Sequence, residues 1–209
     1  MRQLAAAGIG AVQIRKKDLD DRSLYDLARV ARSLLPPAAR LLINGRIDIA
    51  VAAGADGVHL PADGLPLAPL RRRFGHFGGD GGPLLLGRST HSQAEIERAR
   101  DEGADYVTFG PVFPTPGKER YGPPLGLAAL ARAAAAGIPV YALGGITLER
   151  FADVAAAGAA GVAGIRLFQD AGLAEAALSA REHFPQPLGP SEPAESTLWN
   201  RTTSAPTRV

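Results

Sequence analysis

Short, nearly all-apolar runs recur along the chain: IGAVQIR, LLIN, GVHL, LLLGR, DYVTFG, PVYAL and GVAGI. Between them the apolar positions change to a helical spacing, over 19–34, 46–53, 67–74, 92–102, 125–136, 147–156 and 171–184. Runs this short and this apolar suit strands covered on both faces, and their alternation with helices predicts a parallel sheet. The segments LAAAGIGAVQIR, AAGADGVHL, DEGADYVTFG and AAAGAAGVAGI share one order of helix tail, glycine, short link and strand. Their glycines are Gly8, Gly54, Gly103 and Gly158, spaced by 46, 49 and 55 residues, and Gly137 opens a fifth variant. A glycine at the end of a helix can take the left-handed conformation that turns the chain into the next strand. Ser92, with Glu95 three residues on, and Thr147 read as helix N-caps.

Strict alternation over most of the chain leaves an open doubly wound sheet or a closed barrel. Near-identical repeats about two βα units apart favour the barrel. The expected fold is therefore α/β, a (β/α)8 TIM barrel lacking its first strand at the N-terminus, because the chain opens inside what reads as its first helix; a start lying upstream would account for this. Residues 1–184 are the expected barrel domain. Residues 185–209 are rich in Pro, Ser and Thr, lack periodicity, and read as a disordered tail.

Composition narrows the function classes. The 209 residues carry a net charge of +2 and no cysteine, so disulfides and thiolate metal sites are out, and a cytoplasmic location fits. No stretch is long and apolar enough for a membrane span, and the start turns charged too soon for a signal peptide. The run Arg71, Arg72, Arg73 closes a helical pattern, where cations suit the negative end of the dipole. No groove-reading or aromatic motif accompanies it, so neither nucleic acid nor membrane is an expected partner. Self-association into a homo-oligomer stays open.

In a parallel barrel the site is built at the C-terminal ends of the strands. The first strand present ends in Q-x-R-x-K, and alternation puts Gln13, Arg15 and Lys17 on one face, a cationic set suited to a polyanion. The next ends offer Asn44 before Gly45, His59 followed by Asp63, and Ser89 with His91 just before a helix. The fifth strand enters FGPVFPTPGKERYGPPLG, with five prolines and four glycines; Thr115 and Lys118 are its candidate contacts. Loops of this length in compact domains are commonly functional. Gly144 and Gly145 follow the sixth strand, and Ile165 and Arg166 end the seventh, where backbone N–H groups of such barrels hold phosphate. The mouth thus has two anion sites, with the proline-rich loop between them in sequence.

QIRKKD, LLINGRIDIAVAAGADGVHL, GRSTHS, ADYVTFGPVFPTPGK, GPPLGL and ALGGIT followed by AAGAAGVAGI, in this order over about 175 residues, resemble the thiamine phosphate synthase/TenI family. The resemblance implies a (β/α)8 barrel that joins hydroxymethylpyrimidine pyrophosphate to thiazole phosphate, releasing pyrophosphate with Mg²⁺. It assigns Gln13, Arg15 and Lys17 to pyrophosphate, Asn44 to the pyrimidine end of the substrate, Thr115 and Lys118 to thiazole phosphate and pyrophosphate, and Gly145, Ile165 and Arg166 to the thiazole phosphate, while Ser89 matches the family's fourth-strand serine, a substrate contact. Arg15, Lys17 and Lys118 are the expected catalytic cations. The family's first Mg²⁺ aspartate is Gly45 here, and its second acidic ligand corresponds to Pro61-Ala62-Asp63-Gly64, leaving Asp63 as the metal candidate. The second threonine of T-x-T-K is Gly117. GRSTHS is closer to the TenI branch, a thiazole tautomerase, yet that branch's catalytic histidine corresponds to Pro111. Three readings therefore stand: a synthase-type transferase, a tautomerase, and an inactive binder of phosphorylated ligands.

Overall fold

The computed structural model describes residues 7–115, 122–170, 172–184 and 188. Seven parallel strands form one curled sheet in chain order: β1 (Ala11–Ile14), β2 (Arg40–Asn44), β3 (Gly57–Leu60), β4 (Leu85–Thr90), β5 (Tyr106–Phe109), β6 (Val140–Leu143) and β7 (Gly161–Ala163). The register runs from Ala11 against Arg40 to Leu143 against Ala163. The helices are α1 (Asp21–Leu34), α2 (Ile47–Ala53), α3 (Leu67–Phe74), α4 (Gln93–Asp101), α5 (Gly126–Ala134), α6 (Phe151–Ala156), α7 (Leu167–Asp170) and α8 (Leu173–His183). The alternation follows the apolar pattern, and the architecture is α/β and TIM-like. The seven strands are those expected of a barrel lacking its first strand; among the described residues no ladder joins β7 to β1. No helix among them is long and apolar enough to cross a membrane.

The strands' alternation divides the apolar residues between two faces. Leu41, Ile43, Val58, Leu86, Val107 and Val140 pack against helix residues such as Ala28, Ala50, Ile96, Leu130 and Phe151. Leu42, Leu85 and Tyr106 lie on the opposite, inner face with Ala11 and Tyr141, and no helix residue joins that cluster. Leu188 completes it, buried at 7% exposure. It belongs to the segment expected as a tail, the rest of which lies outside the described residues.

Local rules place the ends of the elements. Gly8, Gly54, Gly103, Gly137 and Gly158 all have positive φ, between 68° and 87°, as the repeat requires. Ser92 Oγ accepts from Glu95 N–H at 3.3 Å, while Glu95 reaches back to the His91 N–H. Thr147 occupies an N-cap position, but its side chain makes no capping bond. The predicted helix over 171–184 is α8, preceded by the separate short turn α7.

The Gly-Ala-Asp step of two repeats ties strand to strand. Asp56 accepts from Leu41 N–H at 2.7 Å and from Arg32 and Arg40 at 2.7 and 3.2 Å. Asp105 accepts from Leu86 N–H at 2.6 Å and from Arg71 at 2.5 Å. Each carboxylate supplies charge-assisted bonds at the buried start of its strand. Arg71, the first of the arginine run, also donates to the carbonyls of Leu84 and Gly103. That cation is engaged in holding the fold.

Candidate active site

Parallel strands bring their C-terminal ends to one edge, and alternation turns every second side chain there onto the inner face. Gln13 Nε2 donates to Asn44 Oδ1 at 3.0 Å across β1 and β2. Asn44 lies opposite His59 in the β2–β3 register. His59 is 4% exposed, with Nε2 2.9 Å from Ser89 Oγ and 3.4 Å from Thr108 Oγ1, and Nδ1 3.0 Å from Tyr106 Oη. Burial, then the charges of Arg88 and Arg15, hold the His59 pKa down to about 4. The imidazole is therefore neutral near pH 7. Arg15 and Lys17 themselves stand exposed just beyond β1.

The second half of the mouth is a folded turn. Val112 N–H donates to Leu143 O at 2.9 Å and Phe113 N–H to Gly144 O at 3.1 Å. Arg150 donates to Gly145 O at 2.6 Å while its guanidinium lies 4.2 Å from the centre of the Phe113 ring. Gly145 has φ +62°, and a Cβ there would stand 2.5 Å from Pro114 O, so a side chain is refused on two counts. Thr115 Oγ1 donates to Phe113 O at 3.1 Å and would lie 3.2 Å from a Cβ on Gly144. The opening stretch of the proline-rich loop is thus folded onto the Gly-Gly turn, and the structure brings Thr115 together with Gly144 and Gly145. Lys118 and Gly117 lie outside the described residues. Ile165 and Arg166 are exposed between β7 and α7.

A cavity of about 230 Å³ opens beside Ser89, lined by Asp63, Arg88, Glu95, Arg98 and Glu102 among others. Arg88 spans it from the side, donating to the carbonyls of Pro61 and Leu65 at 2.9 and 2.5 Å.

These features have counterparts in known proteins. The family model described as thiamine monophosphate synthase matches residues 1–168. A Geobacter sulfurreducens relative is 49% identical over 160 residues, covering 76% of this chain and 72% of its own. The thiamine-phosphate synthase of Methanoculleus marisnigri is 45% identical over 164 residues, covering 78% and 75%. The solved structure of a thiamine phosphate pyrophosphorylase from Pyrococcus furiosus superposes with a TM-score of 0.76 at 29% identity, over 90% of this chain and 89% of that one. The chain belongs to the thiamine monophosphate synthase family.

In this thiamine monophosphate synthase family member the structure places both positions that bear on Mg²⁺. Gly45 has φ +73°, donates its N–H to His59 O at 2.9 Å, and has open space around the position of a Cβ. Asp63 is exposed at the cavity. Among the described residues, no three His, Asp or Glu side chains converge as a metal cage. Sequence reasoning missed Tyr106, which runs beneath His59 with ring centroids 5.6 Å apart. A signal was present in Gly87: a Cβ there would stand 2.1 Å from Tyr106 Cζ. Glycine inside a strand marks close approach of another group.

Proposed function

We propose that this chain is a thiamine-phosphate synthase: it transfers the hydroxymethylpyrimidine group from its pyrophosphate to the nitrogen of a thiazole phosphate, releasing pyrophosphate. The observation that carries this reading is the complete Q-x-R-x-K at the end of β1, within a chain matched to the family over residues 1–168. Against a tautomerase, Pro111 occupies that branch's histidine position. His59, moreover, is already engaged with Tyr106 and Ser89.

In this mechanism the bond from the pyrimidine methylene carbon to the pyrophosphate oxygen breaks first. Arg15 and Lys17, with Lys118 from the loop, stabilise the charge that develops on the departing pyrophosphate; fixed cations act best where charge grows in the transition state. Gln13 joins these cations at the pyrophosphate, Asn44, bonded to Gln13, orients the pyrimidine, and Ser89 contacts the same substrate. The Gly144–Gly145 turn, with Thr115, Ile165 and Arg166, holds the thiazole phosphate so that its ring nitrogen faces the pyrimidine cation. No strong general base is required, since neither step removes a proton.

The residues fit Mg²⁺ only as a companion of the substrate. Mg²⁺ is commonly held by one or two carboxylates together with substrate phosphates, and Asp63 is the carboxylate offered here. When bound, the ion would neutralise part of the pyrophosphate charge. The test is to incubate the purified chain with both substrates, with and without Mg²⁺, and measure thiamine phosphate formed. Mg²⁺-dependent product is expected; a folded protein that binds both substrates without turnover would sink the proposal. Gly45→Asp is expected to lower the Mg²⁺ concentration giving half-maximal rate by about tenfold. Open space receives the carboxylate, and aspartate is among the residues that tolerate left-handed backbone, at a strain of about 1 kcal/mol. An unchanged Mg²⁺ titration would exclude a metal near residue 45.

The same proposal extends to a closed (β/α)8 barrel, argued by the repeat spacing, and to residues 1–184 as its domain. It also takes a cytoplasmic setting, which suits the cysteine-free composition.

A further inference from the structure

The inner-face network beneath Ser89 has a direction that the family reading leaves unassigned. Tyr106 is 3% exposed, and among the described residues the His59 Nδ1 is the hydrogen-bond partner of its hydroxyl. A phenol has one proton to donate, and a buried donor without an acceptor costs free energy. If Nδ1 carried the ring proton, Tyr106 would have to accept, and its own O–H would be stranded in the apolar layer of Leu42, Leu85 and Leu188. If Tyr106 donates to Nδ1, the ring proton sits on Nε2, and the count closes. Nε2–H then donates to Ser89 Oγ at 2.9 Å, with Thr108 Oγ1 a weaker second acceptor at 3.4 Å. Ser89, whose oxygen is now accepting, has its own proton left over. Ser89 is half-buried at the edge of the mouth, so that proton is available to an incoming ligand.

We infer that Tyr106 fixes His59 as the Nε2–H tautomer, and that His59 thereby makes the Ser89 hydroxyl a donor toward a hydrogen-bond acceptor of the substrate. His59 is a positioning residue, acting through Ser89, and the inference rests on the transferase reading of the mouth. A doubly protonated ring would leave Nδ1–H facing a Tyr106 hydroxyl with nowhere to donate. Its suppression by burial and the neighbouring arginines agrees with this assignment. The acceptor is a pyrimidine ring nitrogen or a phosphate oxygen, both of which the substrate carries.

Nitrogen-15 NMR of the full-length chain labelled at histidine reads the tautomer directly, and a His59→Gln protein identifies which signals belong to residue 59. A protonated Nε2 and a bare Nδ1 are expected near pH 7. A protonated Nδ1, or a ring with both nitrogens protonated, overturns the inference. In kinetics, His59→Phe and Ser89→Ala are each expected to lower kcat/KM by about tenfold. Because they act through one hydrogen bond, the double variant should lose little more than either alone. His59→Gln, which restores an N–H near the place of Nε2, should recover most of the loss. Additive losses, or a His59→Phe protein as active as the parent, overturn it. Calorimetric binding of pyrophosphate and of pyrimidine pyrophosphate to Ser89→Ala separates the two acceptors. If only the pyrimidine compound weakens, the ring nitrogen is the acceptor; if both weaken, it is a phosphate oxygen. Unchanged binding of both counts against the donor role. Should the parent chain form no thiamine phosphate, the transferase reading fails, while the NMR result still decides the tautomer.

Discussion

Asp56→Ala is expected to lower the free energy of unfolding by about 3 kcal/mol, a drop of roughly 10 °C in melting temperature for a domain of this size. Asp56 is 4% exposed and accepts from three groups at once: the Leu41 N–H and the guanidiniums of Arg32 and Arg40. Alanine leaves the Leu41 N–H without its carboxylate acceptor and one arginine, only 24% exposed, without its counter-charge. Removing one partner of a buried pair costs more than the pair itself contributes, because the survivor keeps its desolvation penalty. Arg32 softens the effect, since it also donates to the carbonyls of Leu35, Pro36 and Ala39. Asp56→Asn should fall between the two, since an amide oxygen can still accept from Leu41 but carries no charge. Urea denaturation monitored by circular dichroism measures the change. A loss under about 1 kcal/mol would mean that the strand junction is held by apolar packing alone. Asp105→Ala should act in the same direction through Leu86 and Arg71.

How much of this could be read from the residues differs between fold and site. The repeat glycines were legible because their conformation is local: a helix that must turn into a strand within a few residues needs positive φ, and all five have it. The alternation of strands and helices was legible for the same reason, since it depends on spacing within single segments. Closure of the sheet is a different matter, because it depends on a pairing between strands far apart in the chain. The Ser92 cap could be read, whereas Thr147 has the right residue type and position without the bond. At the site, the strand-end rule placed Gln13 and Asn44 within one hydrogen bond of each other. The partnership of His59 with Tyr106 was hidden, because it joins β3 to β5 across the inner face. Which side chains meet there is decided by ring size and by the gap left at Gly87.

Arg15→Ala is expected to lower kcat/KM for thiamine phosphate formation by about 100-fold. Most arginines whose partners the structure describes serve the fold: Arg32 and Arg40 on Asp56, Arg71 on Asp105, Arg88 across the cavity wall, Arg150 on the Gly145 carbonyl. Among the described residues, by contrast, no carboxylate stands within ion-pair distance of Arg15 or Lys17. Both are exposed just beyond the end of β1. An unpaired cation at this edge still acts on the site, since Arg15 contributes to holding the His59 pKa down. Exposure screens such a charge while the mouth is open to water. Its full effect therefore requires substrates to fill the mouth and displace that water, and it should appear in kcat more than in the dissociation constant of pyrophosphate. Arg15→Lys keeps the charge and loses the planar fork that meets a phosphate with two parallel bonds, so an intermediate loss is expected. Initial-rate kinetics at saturating thiazole phosphate decide the matter. A rise in KM with kcat unchanged would make Arg15 a binding group without a part in bond cleavage, and a loss below threefold in both would remove it from the site.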